Sequence, residues 1–143
     1  MPTTSAALIT LARAAVVSTT GATAMASDYL PAGEQERIPA SGIRYQLQAH
    51  SVDVENKESA SPMAQLFLTL IVHRRLGSSE AERTYTENTM QTWISALVQP
   101  AYWRVLSTDI WGVTQFPQVS ASDTKRVGDV ISFTLTVAVA YRT

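Results

Sequence analysis

The stretch that most limits what this chain can fold into is its end. In residues 129–142, Ile131, Phe133, Leu135, Val137, Val139 and Tyr141 alternate with Ser132, Thr134, Thr136, Ala138, Ala140 and Arg142. A period of two with many β-branched residues predicts a strand with one apolar and one polar face. At about 3.4 Å per residue, residues 129–141 would span roughly 44 Å. The chain has 143 residues, and a single domain of that size is only about 37 Å across. Either one end of the strand projects, bends or pairs outside the domain, or a bulge divides it into two ordinary halves.

Residues 43–54 show the same alternation, with Ile43, Tyr45, Leu47 and Ala49 set against Arg44, Gln46, Gln48 and His50. Residues 65–75 form a further strand that is apolar on nearly both sides, as in the middle of a sheet covered on both faces. The polar run 56–62 between them reads as a hairpin connection. A helix is expected from Ser79 or Thr86 to Val98, with Met90, Trp93, Ile94 and Leu97 as its apolar stripe and Pro100 as its stop. Tyr102 and Trp103 suggest a short turn or strand, and residues 109–119 another strand. The polar run 120–128 reads as a connection.

At the other end, residues 5–17 read as an amphipathic helix capped by Thr4 or Ser5. Leu8, Leu11, Ala12, Ala15 and Val16 fall on one face and Arg13 faces water. Ala24-Met25-Ala26 resembles an export cleavage site, but no basic residue precedes the apolar run and Arg13 interrupts it, so a signal peptide is not expected. The run is also too short and polar to span a membrane. Residues 18–42, with Pro31, Gly33, Pro39 and Gly42, form a long connection that Asp28 to Leu30 could interrupt with a short element. The expected architecture is one α+β domain over residues 1–143. It has a mainly antiparallel sheet of about four strands with a helix packed on it, in the order α-β-β-α-β-β.

Composition narrows the function. Charged residues are 16% of the chain, against roughly 25% in ordinary soluble domains, which suggests that a partner covers some surface. Nine Arg and two Lys, Lys57 and Lys125, balance twelve acidic residues. No basic stripe for nucleic acid is visible, and Arg is the cation that protein interfaces favour. There are no cysteines, so disulfides and thiolate metal sites are excluded.

No constellation of residues supports catalysis. His50 and His73 lie on separate strands without ligand spacing and are expected at the surface or an interface. No Gly-x-Ser-x-Gly elbow or phosphate loop is present. Glu80, Glu82 and Glu87 suit the start of a helix better than an acid/base pair. Trp93, Trp103 and Trp111 either line a pocket or serve the core. The reading is of a protein that is not an enzyme and uses no cofactor or metal.

The order helix, long loop, strand, strand, helix, strand, strand, closed by Phe133-Thr-Leu-Thr-Val-Ala-Val-Ala-Tyr141-Arg142, resembles the tail terminator proteins of long-tailed phages and related minor tail and neck proteins. The likeness covers residues 5–143 and rests on pattern and length, with the long loop matching only loosely. It implies a ring, usually a homo-hexamer, on the last tail-tube ring of a virion assembled in the host cytoplasm. Such a ring stops tube growth and joins the tail to the head-completion or neck protein, with no specific nucleic-acid or membrane binding. The candidate ring-to-ring contacts are the loops 56–61 and 120–128, with Asn56, Lys57, Glu58, Asp123, Lys125 and Arg126. The candidate subunit contacts are Thr134, Thr136 and Arg142 of the last strand, together with Arg74 and Arg75. A head-tail stopper or adaptor is the nearest rival. A small ligand-binding or enzymatic domain, using the tryptophans, and an exported domain are alternatives from other classes.

Overall fold

A computed structural model describes residues 4–29, 42–54, 63–76, 79–99, 102–103, 106, 118–121 and 124–142. The fold is α+β, with two helices and a mixed, mostly antiparallel sheet of six strands among the described residues. Helix α1 (Ser5–Thr20) is followed by β1 (Thr23–Ala24), β2 (Ile43–Val54) and β3 (Met63–Arg75). Then come helix α2 (Glu80–Leu97), β4 (Gln118–Ala121), β5 (Lys125–Val127) and β6 (Val130–Arg142). Across the sheet the order is β1-β2-β3-β6-β4, and β5 also pairs with β6. Only β1 and β2 run parallel. The count and order therefore differ from the four strands expected. The additions are β1, in the expected 18–42 connection, and β5, in the expected 120–128 connection.

The terminal strand is not divided into two halves. It pairs with β3 without interruption, from Met63 opposite Arg142 to Arg75 opposite Val130, and β3 pairs with β2 along all of β2. The length that looked excessive is matched residue for residue by β3, which is in turn paired with the 12-residue β2.

Pairing in this register sorts the side chains. Leu66, Leu68, Leu70 and Val72 of β3 share a face with Phe133, Leu135, Val137 and Val139 of β6, and all eight are buried. Leu8, Ala12 and Val16 of α1, Met90 and Leu97 of α2, and Trp103 and Leu106 join them in one core. Both helices thus serve one face. On the other face Phe67, Thr69 and Ile71 of β3 are only half-buried, so the expectation of a strand covered equally on both sides is corrected.

The helices end where their caps dictate. Thr4 accepts the Ala7 N–H at 3.2 Å, and α1 continues three residues beyond the expected Val17 until Gly21, whose φ of +67° suits a residue without a Cβ. The Ser79 hydroxyl accepts the Glu82 N–H at 3.2 Å and starts α2. Thr86, Met90 and Leu97 are its buried residues, while Trp93 and Ile94 of the expected stripe are half-buried. Pro100, residues 30–41 and 109–117, and Trp111 lie outside the described residues.

At the other edge, β4 and β5 behave as one strand with a slip. Between the pairs Ala121–Leu135 and Lys125–Ser132, four residues on the outer strand match three on β6. One extra residue is the signature of a bulge and reverses which side chains face the helices. Sequence periodicity could not reveal a strand whose alternation changes phase within a polar run. The hairpin closes through Gly128-Asp129, with Gly128 at φ +60° and no positive φ at Asp129, the sign pattern of a type II′ turn.

The β2 edge is closed by side chains. After β1, the Met25 N–H bonds to the Tyr45 carbonyl at 3.0 Å. The chain then passes Asp28, whose Oδ1 accepts the Leu47 N–H at 3.1 Å, and Tyr29, whose hydroxyl both accepts from the Ala49 N–H and donates to the Ala49 carbonyl at 3.3 Å. Asp28 is held by Arg13 at 2.7 Å, and the Arg13 guanidinium lies 5.9 Å from the Tyr45 ring centre. Arg13 therefore does not simply face water. These contacts satisfy edge groups that would otherwise invite another strand. Asp28→Ala is expected to lower unfolding free energy by about 2 kcal/mol and Asp28→Asn by about half as much, because the amide still accepts the Leu47 N–H. Urea titration of the two variants checks both.

A candidate interaction surface

The sheet face away from the helices combines polar and small apolar groups. From β6 it presents Ser132, Thr134, Thr136 and Ala138, all half-buried, and from β3 Phe67, Thr69, Ile71 and His73. From β2 it presents Arg44, Gln46, Gln48 and the exposed His50. Among the described residues, only the 27–29 segment lies over it, at the β2 margin. There Gln46 and Gln48 donate to the carbonyls of Ser27 and Asp28 at 3.1 and 2.9 Å.

His73 is the residue on this face that the sequence reading misplaced. It is 8% exposed, not a surface or accessible interface group. Its Nδ1 lies 2.6 Å from the Ser132 hydroxyl and its Nε2 lies 2.9 Å from Gln46 Oε1. Since Gln46 uses its amide N–H to reach Ser27, its oxygen accepts, so His73 carries the proton on Nε2 and accepts at Nδ1 from Ser132. Neutral His73 thus completes a chain of hydrogen bonds across β6, β3, β2 and the 27–29 segment. Burial lowers its pKa below the ordinary histidine value. The only sequence signal for this role was the alternation that put His73 and Ser132 among side chains of opposite phase to the core.

The expected contact residues divide between the two faces. Arg74 points to the helix side, where its guanidinium lies over the rings of Trp93 and Tyr85 at 5.4 and 5.9 Å from their centres. Arg75 points to the open side and pairs with Asp129 at 3.1 Å. Lys125, opposite Ser132, is on the open face, whereas Arg126, opposite Ile131, is on the helix side. Thr134 and Thr136 are on the open face. Asn56, Lys57, Glu58 and Asp123 lie outside the described residues, as does the side chain of Arg142.

Of the two loops singled out for ring contacts, 56–61 joins β2 to β3 at one end of the sheet, whereas the described residues of 120–128 are mostly edge strand along β6, and only its last residue, Gly128, reaches the turn at the other end. Residues 55–62 connect the strands where Val54 pairs with Met63, and the β5–β6 turn lies where Arg75 pairs with Val130.

Of the tryptophans proposed for a pocket, Trp103 is fully buried, with its indole N–H donating to the Leu97 carbonyl at 2.7 Å and its ring edge-on to Tyr102. Tyr102 in turn donates to the Ala15 carbonyl and bonds with Thr19, tying the turn after α2 to α1. Glu80, Glu82 and Glu87 are exposed along α2. Among the described residues no three His, Asp or Glu side chains converge as a metal site, and no helix is long and apolar enough to cross a membrane.

The His73 network predicts a pH dependence with a definite sign. Because folding lowers its pKa, the unfolded chain takes up the proton first. The stability that neutral His73 gives is complete above the ordinary value of about 6.5 and is lost as pH falls from there toward the lowered native value. Thermal melts of the native chain should therefore decline as pH falls below about 6.5, and those of His73→Gln should decline less. A scan of protein-family models and a search of curated proteins found no match to this chain.

Proposed function

We propose that the chain is a structural ring subunit of the tail of a long-tailed phage, the tail terminator at the head-proximal end of the tube. The observation that carries this reading is the placement of the 55–62 connection and the β5–β6 turn at opposite ends of a long, unbroken sheet. A subunit held between tail tube and neck needs two opposed contact ends, and strands of 12 and 13 residues separate them by roughly 40 Å.

Lateral contacts then fall to the helix-free face, where Thr134 and Thr136 stand. Short hydroxyl and methyl side chains lose little entropy when a neighbour covers them, and the low charge content of the chain keeps the desolvation cost down. Recognition in this reading works by shape and charge between subunits, with no bond made or broken. It involves no cofactor, membrane or specific nucleic acid. The partners are other copies of the chain, the tail tube protein and a head-completion or neck protein, and the working location is the virion. The burial of Trp103 in the core weighs against a ligand pocket among the tryptophans.

Light scattering and electron micrographs of the full chain, alone and co-expressed with a phage tail tube protein, test the reading. Closed rings of a single size are expected, and Thr134→Arg with Thr136→Arg should reduce them to monomers that melt normally. A chain that stays monomeric in both settings would overturn it. Rings that bind only a head-side protein would move the chain to a stopper or adaptor.

A further inference from the structure

The helix side of the sheet carries a group of hydrogen-bond donors that the fold leaves without acceptors. Tyr85, Thr89 and Trp93 are four residues apart on α2 and so line one face of that helix. Arg74 of β3 reaches this line, its guanidinium carbon 5.4 Å from the Trp93 ring centre and 5.9 Å from that of Tyr85. The cross-strand partners of Arg74 are Ile43 and Ile131, which share its face, so its surroundings on the sheet are apolar.

Among the described residues, the Arg74 guanidinium, the Trp93 indole N–H and the Tyr85 hydroxyl make no hydrogen bond or ion pair. By contrast, Tyr29, Tyr102, Trp103 and Tyr141 each use their polar atom within the chain. The exposed α2 carboxylates Glu80, Glu82 and Glu87 leave Arg74 unpaired although they lie on the helix that it touches. Tyr85 is 66% exposed and Trp93 half-buried. Large rings steadied by a cation and left facing water are what binding hot spots use, because Trp, Tyr and Arg gain much area at little entropic cost.

We propose that Arg74, Tyr85 and Trp93 form an anchoring site for a carboxylate side chain of a partner protein, with an apolar residue next to it. The proposal stands whether or not the chain forms rings. Guanidinium and indole groups only donate, and a tyrosine hydroxyl can donate, so the ligand atom that suits all three is an anionic oxygen. Arg74 supplies the charge and the fork, and contact with the two rings limits the freedom that its long side chain would lose on binding. The exposed ring of Tyr85 and the half-buried Ile43 give apolar surface for the adjoining residue. A single nucleic-acid strand would also stack on such rings, but it brings a phosphate with every base, and Glu80, Glu82 and Glu87 on the same helix oppose a run of them.

Isothermal titration calorimetry of the full chain with the peptide acetyl-Ser-Glu-Leu-Ser-amide, at about 50 mM salt to limit screening, provides the test. The same peptide with Gln in place of Glu should bind about fivefold more weakly, the loss of one charge-assisted pair at a partly exposed site. Arg74→Lys keeps the charge but removes the fork and much of the ring contact, and should weaken the Glu peptide about threefold. Tyr85→Ser, at a position exposed enough to leave the melt unchanged, should weaken it by about the same factor. Lys125→Gln, which removes a cation from the opposite face, should stay within about twofold. The proposal is overturned if the native chain does not bind the Glu peptide, if both peptides bind alike, or if Lys125→Gln weakens binding as much as Arg74→Lys. Tighter binding of an oligo-dT strand would overturn it in favour of nucleic acid, and self-association that Tyr85→Ser abolishes would overturn it in favour of a second copy of the chain.

Discussion

The uninterrupted pairing of β3 with β6 is the constraint on which the remaining structure depends. Every residue of each strand has a partner in the other, so one register decides which side chains meet the helices. Each of the buried Leu, Val and Phe residues on the helix side gains about 1.5–3 kcal/mol from leaving water. A slip of one residue would exchange that set for Thr, Ser and Ala. The positions of both helices, both edges and the open face follow from this register.

A sheet this long has edges to manage, and the two are managed differently. On the β2 side, Asp28 and Tyr29 use side-chain oxygens where a neighbouring strand would offer backbone, and Arg13 anchors the arrangement to α1. On the β6 side, a short polar strand covers the edge and changes phase partway along it. Flat, regular edges are the ones that aggregate, whereas bulged and charged edges restrict pairing to matched partners. The same devices leave the two ends and one face of the sheet as the surfaces through which the proposed assembly would be made.

The open face is polar without being unsatisfied. Ser132, His73 and Gln46 pass hydrogen bonds across three strands to the Ser27 carbonyl, and no described buried side-chain polar atom lacks a partner. A face built this way is stable in water and yet can be covered by another protein at small desolvation cost. Holding histidine neutral there makes the network sensitive to acid, the cost of placing a titratable ring against a sheet.

The alternation in residues 43–54 and 131–141, the apolar run of β3, the stripe from Leu8 to Val16 and the stripe around Met90 and Leu97 were enough to establish two helices, three long strands and most of the core. Apart from the β3 run, each of these segments repeats one period long enough to be unambiguous. The candidate surface was less legible. Which arginine of the pair 74–75 faces the helices, where His73 goes, and the meeting of Arg74 with Tyr85 and Trp93 all depend on pairing and packing between separate segments. The strands β1 and β5 were hidden as well, since two- and three-residue elements have no period of their own and exist only because β2 and β6 present backbone groups to pair with. Sequence by itself determined the faces of β2 and β6, because hydrophobic burial acts on local alternation, whereas the apolar run of β3 left its face to the structure. Only tertiary structure decided the edges, the phase shift that turns Lys125 outward and the placing of Arg74 against two aromatic rings, because those arise from register and packing.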